Sequence, residues 1–199
     1  MSGSVVSVNL GRIAKLATPR GEVNSAIVKR PVNGPVSLVG NRLEGDSQGV
    51  RSVHGGPLKA VYAYAWEDYR WWETQLGRTL EPGTFGENLT TVGIDLNAAL
   101  IGECWAIGDS AQLAITLPRD PCSRLAARMN DATFGATFAK ALRRGPYLRI
   151  VVHGPIEAGD TIRVPSRPSH GITLEQASRV YLFERDRFAE LLAETLENR

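Results

Sequence analysis

The densest group of chemically capable side chains lies in LPRDPCSRLAARM, residues 117–129, where Cys122 follows a proline-flanked turn and opens a helical pattern. Backbone N–H groups at a helix start have no intrahelical partner and the dipole is positive there, so the position favours an anion. Arg119, Arg124 and Arg128 add positive charge close in sequence. The thiolate is the form of cysteine that attacks electrophiles and binds soft metals. A lone cysteine is equally a small buried hydrophobe, and spacing alone leaves the two readings open. Cys104, in GECWAIG, has acidic and aromatic neighbours and no cation, and is assigned to the core. Neither cysteine has a CxxC partner or a histidine at ligand spacing, so no structural zinc site is expected. The histidines, His54, His153 and His170, fall in separate segments, which excludes an HExxH centre.

Three further loops carry polar groups. In VHGGPLK, Gly55 and Gly56 allow close backbone approach, consecutive N–H groups can form an anion-binding nest, and Lys59 adds a point charge. His54 there is either a ligand-orienting group or a hydrogen-bonded turn histidine. GTFGENL combines chain-breaking glycines with Glu87 and Asn88, an acceptor and an amide that both accepts and donates; alone it could be a hairpin loop. LEGDSQ is a polar turn offering Asp46 and Gln48. Trp66, Trp71 and Trp72 stand among Glu67, Asp68 and Glu73 rather than basic residues, which argues for core or interface packing over base stacking.

The elements that must position these groups are mostly strands. Twenty glycines and eleven prolines punctuate short β-branched or alternating runs. Strands are predicted at 5–10, 25–29, 36–39, 59–65, 112–117, 147–153 and 161–164, enough for a barrel or sandwich. Lys15 is predicted to lie in a loop after the first strand. Helical spacing appears at 67–76, ending at Gly77, and at 123–129 and 133–143. After the turn-rich PSRPSHG, Thr173 and Gln176 form a capping-box pattern ahead of apolar residues at helical spacing. This divides the chain into a β-rich domain over residues 1–165 and a helical tail over 172–199.

A chain of 199 residues suits one domain, and 23 Lys+Arg against 21 Asp+Glu without a basic block argue against charge-driven nucleic-acid binding. The longest apolar run, residues 60–66, is far below the ~20 residues of a membrane-spanning helix. The N-terminal stretch lacks signal-peptide character, so a cytoplasmic, reducing setting is expected.

In order along the chain, GDSQ, HGG, LKAVYAYAWEDYRWW, FGENL, LPRDPC, LAARM, YLRIVVHG and AGD resemble the MOSC domain family, related to the C-terminal part of molybdenum cofactor sulfurases, and within it stand-alone bacterial members of the YiiM type. The resemblance implies a mainly β fold, a MOSC-type β-barrel with flanking short helices and a short C-terminal helical tail. It implies molybdenum cofactor (molybdopterin) as the cofactor, with Cys122 as catalytic residue and molybdenum ligand or persulfide carrier, and it carries the sulfurases' association with pyridoxal phosphate binding. Lys29, Asp46, His54, Gly55, Gly56, Lys59, Phe85, Gly86, Glu87, Asn88 and Arg119 are the cofactor-binding residues it implies. Related proteins reduce N-hydroxylated compounds, including hydroxylaminopurines; the alternative is a sulfur carrier or cofactor-delivery protein. The substrate would be a small molecule. No ferredoxin-type cysteine set and no strand-linked GxGxxG is present, so electrons would come from a separate donor protein or a small molecule. A homodimer is left open, because the tail is shorter than the three-helix tail of longer relatives.

Overall fold

The computed structural model describes residues 2–48, 56–187, 189–191 and 193. The N-terminal strand β1 (Ser2–Gly11) is followed by β2 (Ala14–Thr18), β3 (Gly21–Ser25), β4 (Lys29–Val32), β5 (Val36–Val39) and β6 (Arg42–Leu43). Then come β7 (Val61–Ala65), helix α1 (Trp66–Leu76), β8 (Leu89–Val92), β9 (Cys104–Ile107) and β10 (Ala111–Pro118). Helices α2 (Ser123–Met129) and α3 (Phe134–Ala141) lead to β11 (Pro146–Val152), β12 (Pro155–Ile156), β13 (Thr161–Ser166) and α4 (Leu174–Phe183).

Strands β13, β9, β10, β11, β7, β8 and β1 pair in that order, and β13 pairs back onto β1, with Ser4 opposite Thr161, closing a seven-stranded barrel. β4 extends the sheet along the far end of β1. All these pairings are antiparallel except β7 with β8, which run parallel because α1 supplies the crossover between them. The fold is therefore mainly β with short flanking helices.

Strand β7, VYAYA, is buried on both faces. Val61, Ala63 and Ala65 point into the barrel with Val8, Leu89, Trp105, Leu113, Ile115 and Leu148. Tyr62 and Tyr64 point outward into a second core with Tyr69 and Trp72 of α1, Phe85, and Phe134 and Phe138 of α3. The buried hydroxyls of Tyr62 and Tyr64 donate to the Arg144 and Arg143 carbonyls at 2.8 and 2.7 Å, tying β7 to the chain that leaves α3. Trp72 is fully buried there and Trp66 and Trp71 are partly so, the core packing expected of the tryptophans.

Several predicted elements differ. The run 25–29 is not one strand: the Ser25 hydroxyl accepts the Ile27 N–H, ending β3, and Lys29 begins β4. In 59–65, Pro57 opens a 3₁₀ turn through Lys59, so the strand starts only at Val61. Lys15 lies not in a loop but in β2, opposite Asn24 of β3, in a ribbon so exposed on both faces that no apolar alternation marks it. The capping box at Thr173 forms as predicted. Ile172 and Leu174 are buried, and Leu174 belongs to the barrel core, so the segment after the turn-rich stretch begins as part of the barrel's packing.

Candidate functional site

Strand β10 ends at Pro118, and the Arg119 N–H donates to the Gly145 carbonyl at 3.1 Å, which turns the chain toward α2. Cys122 is the N-cap of α2, with extended backbone, and its side chain caps nothing. The sulfur is therefore left to the cleft. α2 has only seven residues, so the local positive charge comes from Arg119, whose Nη2 lies 3.7 Å from Cys122 Sγ. Arg119 is itself buried, its guanidinium 5.3 Å from the Tyr62 ring centroid. Burial acts to lower its pKa, but Tyr147, Tyr62 and Cys122 outweigh burial and hold it above its ordinary value.

Opposite stands a buried ion pair. Lys29 Nζ donates to Asp46 Oδ1 at 2.5 Å, with side-chain exposures of 7% and 3%. Asp46 Oδ1 also accepts the Gly11 N–H at 2.8 Å, and its Oδ2 accepts Asn88 Nδ2 at 3.0 Å. Burial pushes the Lys29 ammonium below its ordinary pKa, with Asp46 opposing. Gly11 is required beneath this pair, because a Cβ there would sit 2.4 Å from the Ala26 carbonyl oxygen. That close crossing brings Ala26 and Ile27 into the wall.

Cys122, Arg119, Lys29, Asp46, Lys59, Gly86 and Asn88, all expected from the sequence, line one cavity of about 90 Å³, together with Ile27, Tyr62, Arg124 and Tyr147. The Lys59 ammonium lies 5.6 Å from the Tyr147 ring centroid. Among the described residues four cations and one carboxylate line the wall, which leaves it positive, a focus for an anion. The volume is below the ~300–1,000 Å³ of a drug-sized pocket, room for no more than one end of a larger ligand.

Two expected residues stand behind this wall. Phe85 is fully buried in the aromatic core, stacked 4.4 Å from Tyr64, because an apolar ring gains more there than beside charges. Glu87 is fully buried, its Oε1 accepting from Tyr69 Oη at 2.5 Å, the Gly83 N–H at 2.7 Å and Thr90 Oγ1 at 2.8 Å. Its Oε2 has no hydrogen-bond partner among the described residues, and burial raises its pKa against those donors. Both support the loop that presents Gly86 and Asn88. Gly56 has positive φ and opens the Pro57–Lys59 turn outside the cavity lining. His54 and Gly55 lie outside the described residues. Cys104 is half-buried on β9, away from the cleft, where burial pushes its thiol up.

Sequence reasoning missed Tyr62 and Tyr147, which sit in apolar strands like core residues; their only signal is that each stands beside an inward-pointing neighbour and so faces outward. Ile27 and Ala26 carried no signal, since a close backbone crossing brings them in.

The arrangement defines a closed β-barrel protein with one thiol at the wall of a cationic cleft. Residues 50–163 match the MOSC domain model, and the chain belongs to that family. It is 34% identical to YflK of Bacillus subtilis (strain 168) over 89% of this chain and 80% of YflK. It is 33% identical to a protein of Gibberella moniliformis named "Reductase", over 83% of this chain but 30% of that protein. The crystal structure of YiiM from Geobacillus stearothermophilus superposes with a TM-score of 0.78 at 26% identity, covering 98% of this chain and 91% of YiiM. No helix among the described residues is long and apolar enough to cross a membrane.

The cleft's donor set suits a metal that arrives with its own ligands. Among the described residues no three His, Cys, Asp or Glu side chains are grouped to hold a bare ion. One soft thiol is present, and Arg124, in the same wall, has a buried Nε without a hydrogen-bond partner among the described residues, a donor left over for an anion. These residues fit an anionic molybdenum–pterin group.

Proposed function

We propose that this protein is a molybdenum-cofactor-dependent reductase of small N-hydroxylated compounds, hydroxylaminopurines among them. The observation that carries the reading is the Cys122 sulfur, unused by any cap and set 3.7 Å from a buried guanidinium in the wall of a cationic cleft. Membership of the MOSC family and the relative named "Reductase" support it. Cys122 would hold the metal, and Arg119, Arg124 and Lys59 would face the anionic parts of the cofactor. When bound, the cofactor supplies two-electron chemistry at the substrate's N–O bond. Conversion of R–NH–OH to amine and water takes two electrons and two protons, and Lys29 Nζ, fixed by Asp46, holds a proton at the cleft wall. The Tyr62 and Tyr147 rings narrow the cleft and limit water. Electrons would come from a separate donor protein or directly from a small-molecule reductant, and the chain would act in the cytoplasm.

The test is elemental analysis of protein from a host that makes the cofactor, with turnover of a hydroxylaminopurine. Wild type and Cys104→Ser should retain molybdenum and reduce the base, and Cys122→Ser should do neither. Equal molybdenum in wild type and Cys122→Ser would remove the assignment. A persulfide on Cys122 in molybdenum-free protein would replace it with a sulfur carrier or cofactor-delivery protein.

A further inference from the structure

Arg144, between α3 and β11, is completely buried and lies outside the cavity lining. Its Nη2 donates to Asp120 Oδ1 at 2.6 Å, yet Asp120 is 45% exposed. Its Nη1 is buried without a hydrogen-bond partner among the described residues. Burial drags this guanidinium below its ordinary pKa, with Asp120 opposing. A buried ion pair of this kind is a poor contributor to stability, and an apolar side chain of similar volume commonly serves better. An incompletely satisfied buried cation therefore calls for another explanation.

The explanation lies in what it holds. Arg144 Nε donates to the Arg119 carbonyl at 2.6 Å, so one planar guanidinium grips consecutive residues of the turn that carries Cys122. The same turn is braced from within by Arg119 Nη1, which donates to the Asp120 carbonyl at 2.7 Å. That leaves Arg119 Nη2 directed at Cys122 Sγ. Behind the grip, the Tyr62 hydroxyl fixes the Arg144 carbonyl, and the ring of Tyr181 on α4 lies 6.0 Å from the guanidinium. We infer that Arg144 and Asp120 are positioning residues whose ion pair fixes the 119–122 turn and so keeps the Arg119 guanidinium beside the Cys122 thiol. The inference deepens the reading above and rests on it only in taking Cys122 as the reacting group.

The test uses the intact chain purified without cofactor, carrying Cys104→Ser so that only Cys122 is alkylated. The measurement is the ratio of alkylation rates with iodoacetate, an anion, and iodoacetamide, its neutral analogue. A guanidinium beside the sulfur favours the anionic reagent. Asp120→Ala deletes a negative charge, so by charge alone it would raise the ratio. Loss of positioning lowers it instead, by about fivefold, within the range that local potentials of several kT produce. Arg144→Lys keeps the charge but loses the two-point grip, and should lower the ratio similarly. Asp120→Asn, which keeps an acceptor in place, should fall between. Asp120→Ala leaves the Arg144 guanidinium buried without its carboxylate and should melt below the parent, so the ratio is read for every variant at a temperature well below its own melting point. Asp120→Asn, which keeps an acceptor for Arg144, is the variant that reads the turn at least cost to the fold. An unchanged or raised ratio in Asp120→Ala and Arg144→Lys overturns the inference. Because no molybdenum enters this measurement, failure of the proposed reductase would appear in the elemental analysis and not here.

Discussion

Replacing Asp46 by Asn leaves the Lys29 ammonium buried at 7% exposure with no carboxylate within hydrogen-bond reach, while the amide still offers an oxygen to the Gly11 N–H. Burial already lowers the pKa of Lys29 with Asp46 present, and without Asp46 the fall must deepen. The folded variant can escape the unpaired charge by releasing the proton. With an ordinary value of 10.5 in the unfolded chain, that release costs at most about 5 kcal/mol at pH 7 and about 2 kcal/mol at pH 9, at 1.36 kcal/mol per unit. Breaking one side of a buried pair costs about 3–5 kcal/mol in general, in line with this ceiling. The sign follows from proton counting: between the lowered folded pKa and 10.5 the unfolded state binds more protons, so the variant's stability rises with pH. Urea unfolding of both proteins should therefore give a deficit of about 3–5 kcal/mol at neutral pH, shrinking by up to ~1.4 kcal/mol per unit toward pH 9. Groups common to both proteins cancel in the difference. Lys29→Met combined with Asp46→Asn should be less harmful than the sum of the single changes, because no unpaired charge remains. A pH-independent deficit, or one below about 1 kcal/mol, would refute the account of the pair as a buried charge held only by its partner.

Glu87 has the opposite linkage: its pKa is raised by burial, so its contribution to stability is complete below the ordinary 4.5 and is lost as pH climbs through the folded value. Glu87→Gln should match wild type in acid and be at least as stable at neutral pH, read as melting temperature against pH; a variant that is less stable only at neutral pH would contradict this. Gly86→Ala puts a Cβ 2.8 Å from Ile27 Cγ1 at a φ of +81°, and should destabilise by about 1–3 kcal/mol in chemical denaturation, since the residue both strains the backbone and displaces the cavity wall. Leu174→Ala, although it lies beyond the turn-rich stretch, removes a side chain 1% exposed in the barrel core and should cost about 2–5 kcal/mol; a loss near zero would show α4 to be an independent appendage.

Local chemistry carried much of this protein into its sequence. Alternation over 112–117 marks β10, Gly77 ends α1 in the left-handed conformation, and Thr173 with Gln176 closes the capping box, because each depends on neighbours a few residues away. The ordered motifs were enough to name the family, with GDSQ, FGENL and LPRDPC carrying Asp46, Asn88, Arg119 and Cys122, while Lys29 stands outside them and came only with the resemblance. The β2–β3 ribbon was not legible, since strands exposed on both faces lose the period-2 contrast. Nor did the motif text separate Gly86 and Asn88, which line the cavity, from Phe85 and Glu87, which stand behind it. In an irregular loop no fixed period assigns faces, and only packing against Tyr69, Tyr64 and Thr90 decides which side chains turn inward. Tertiary structure alone also decided the grip of Arg144 on the cysteine turn. Residues 119 and 144 are joined by strand pairing between β10 and β11, and the distance along the chain between a donor and its carbonyl is invisible to local pattern.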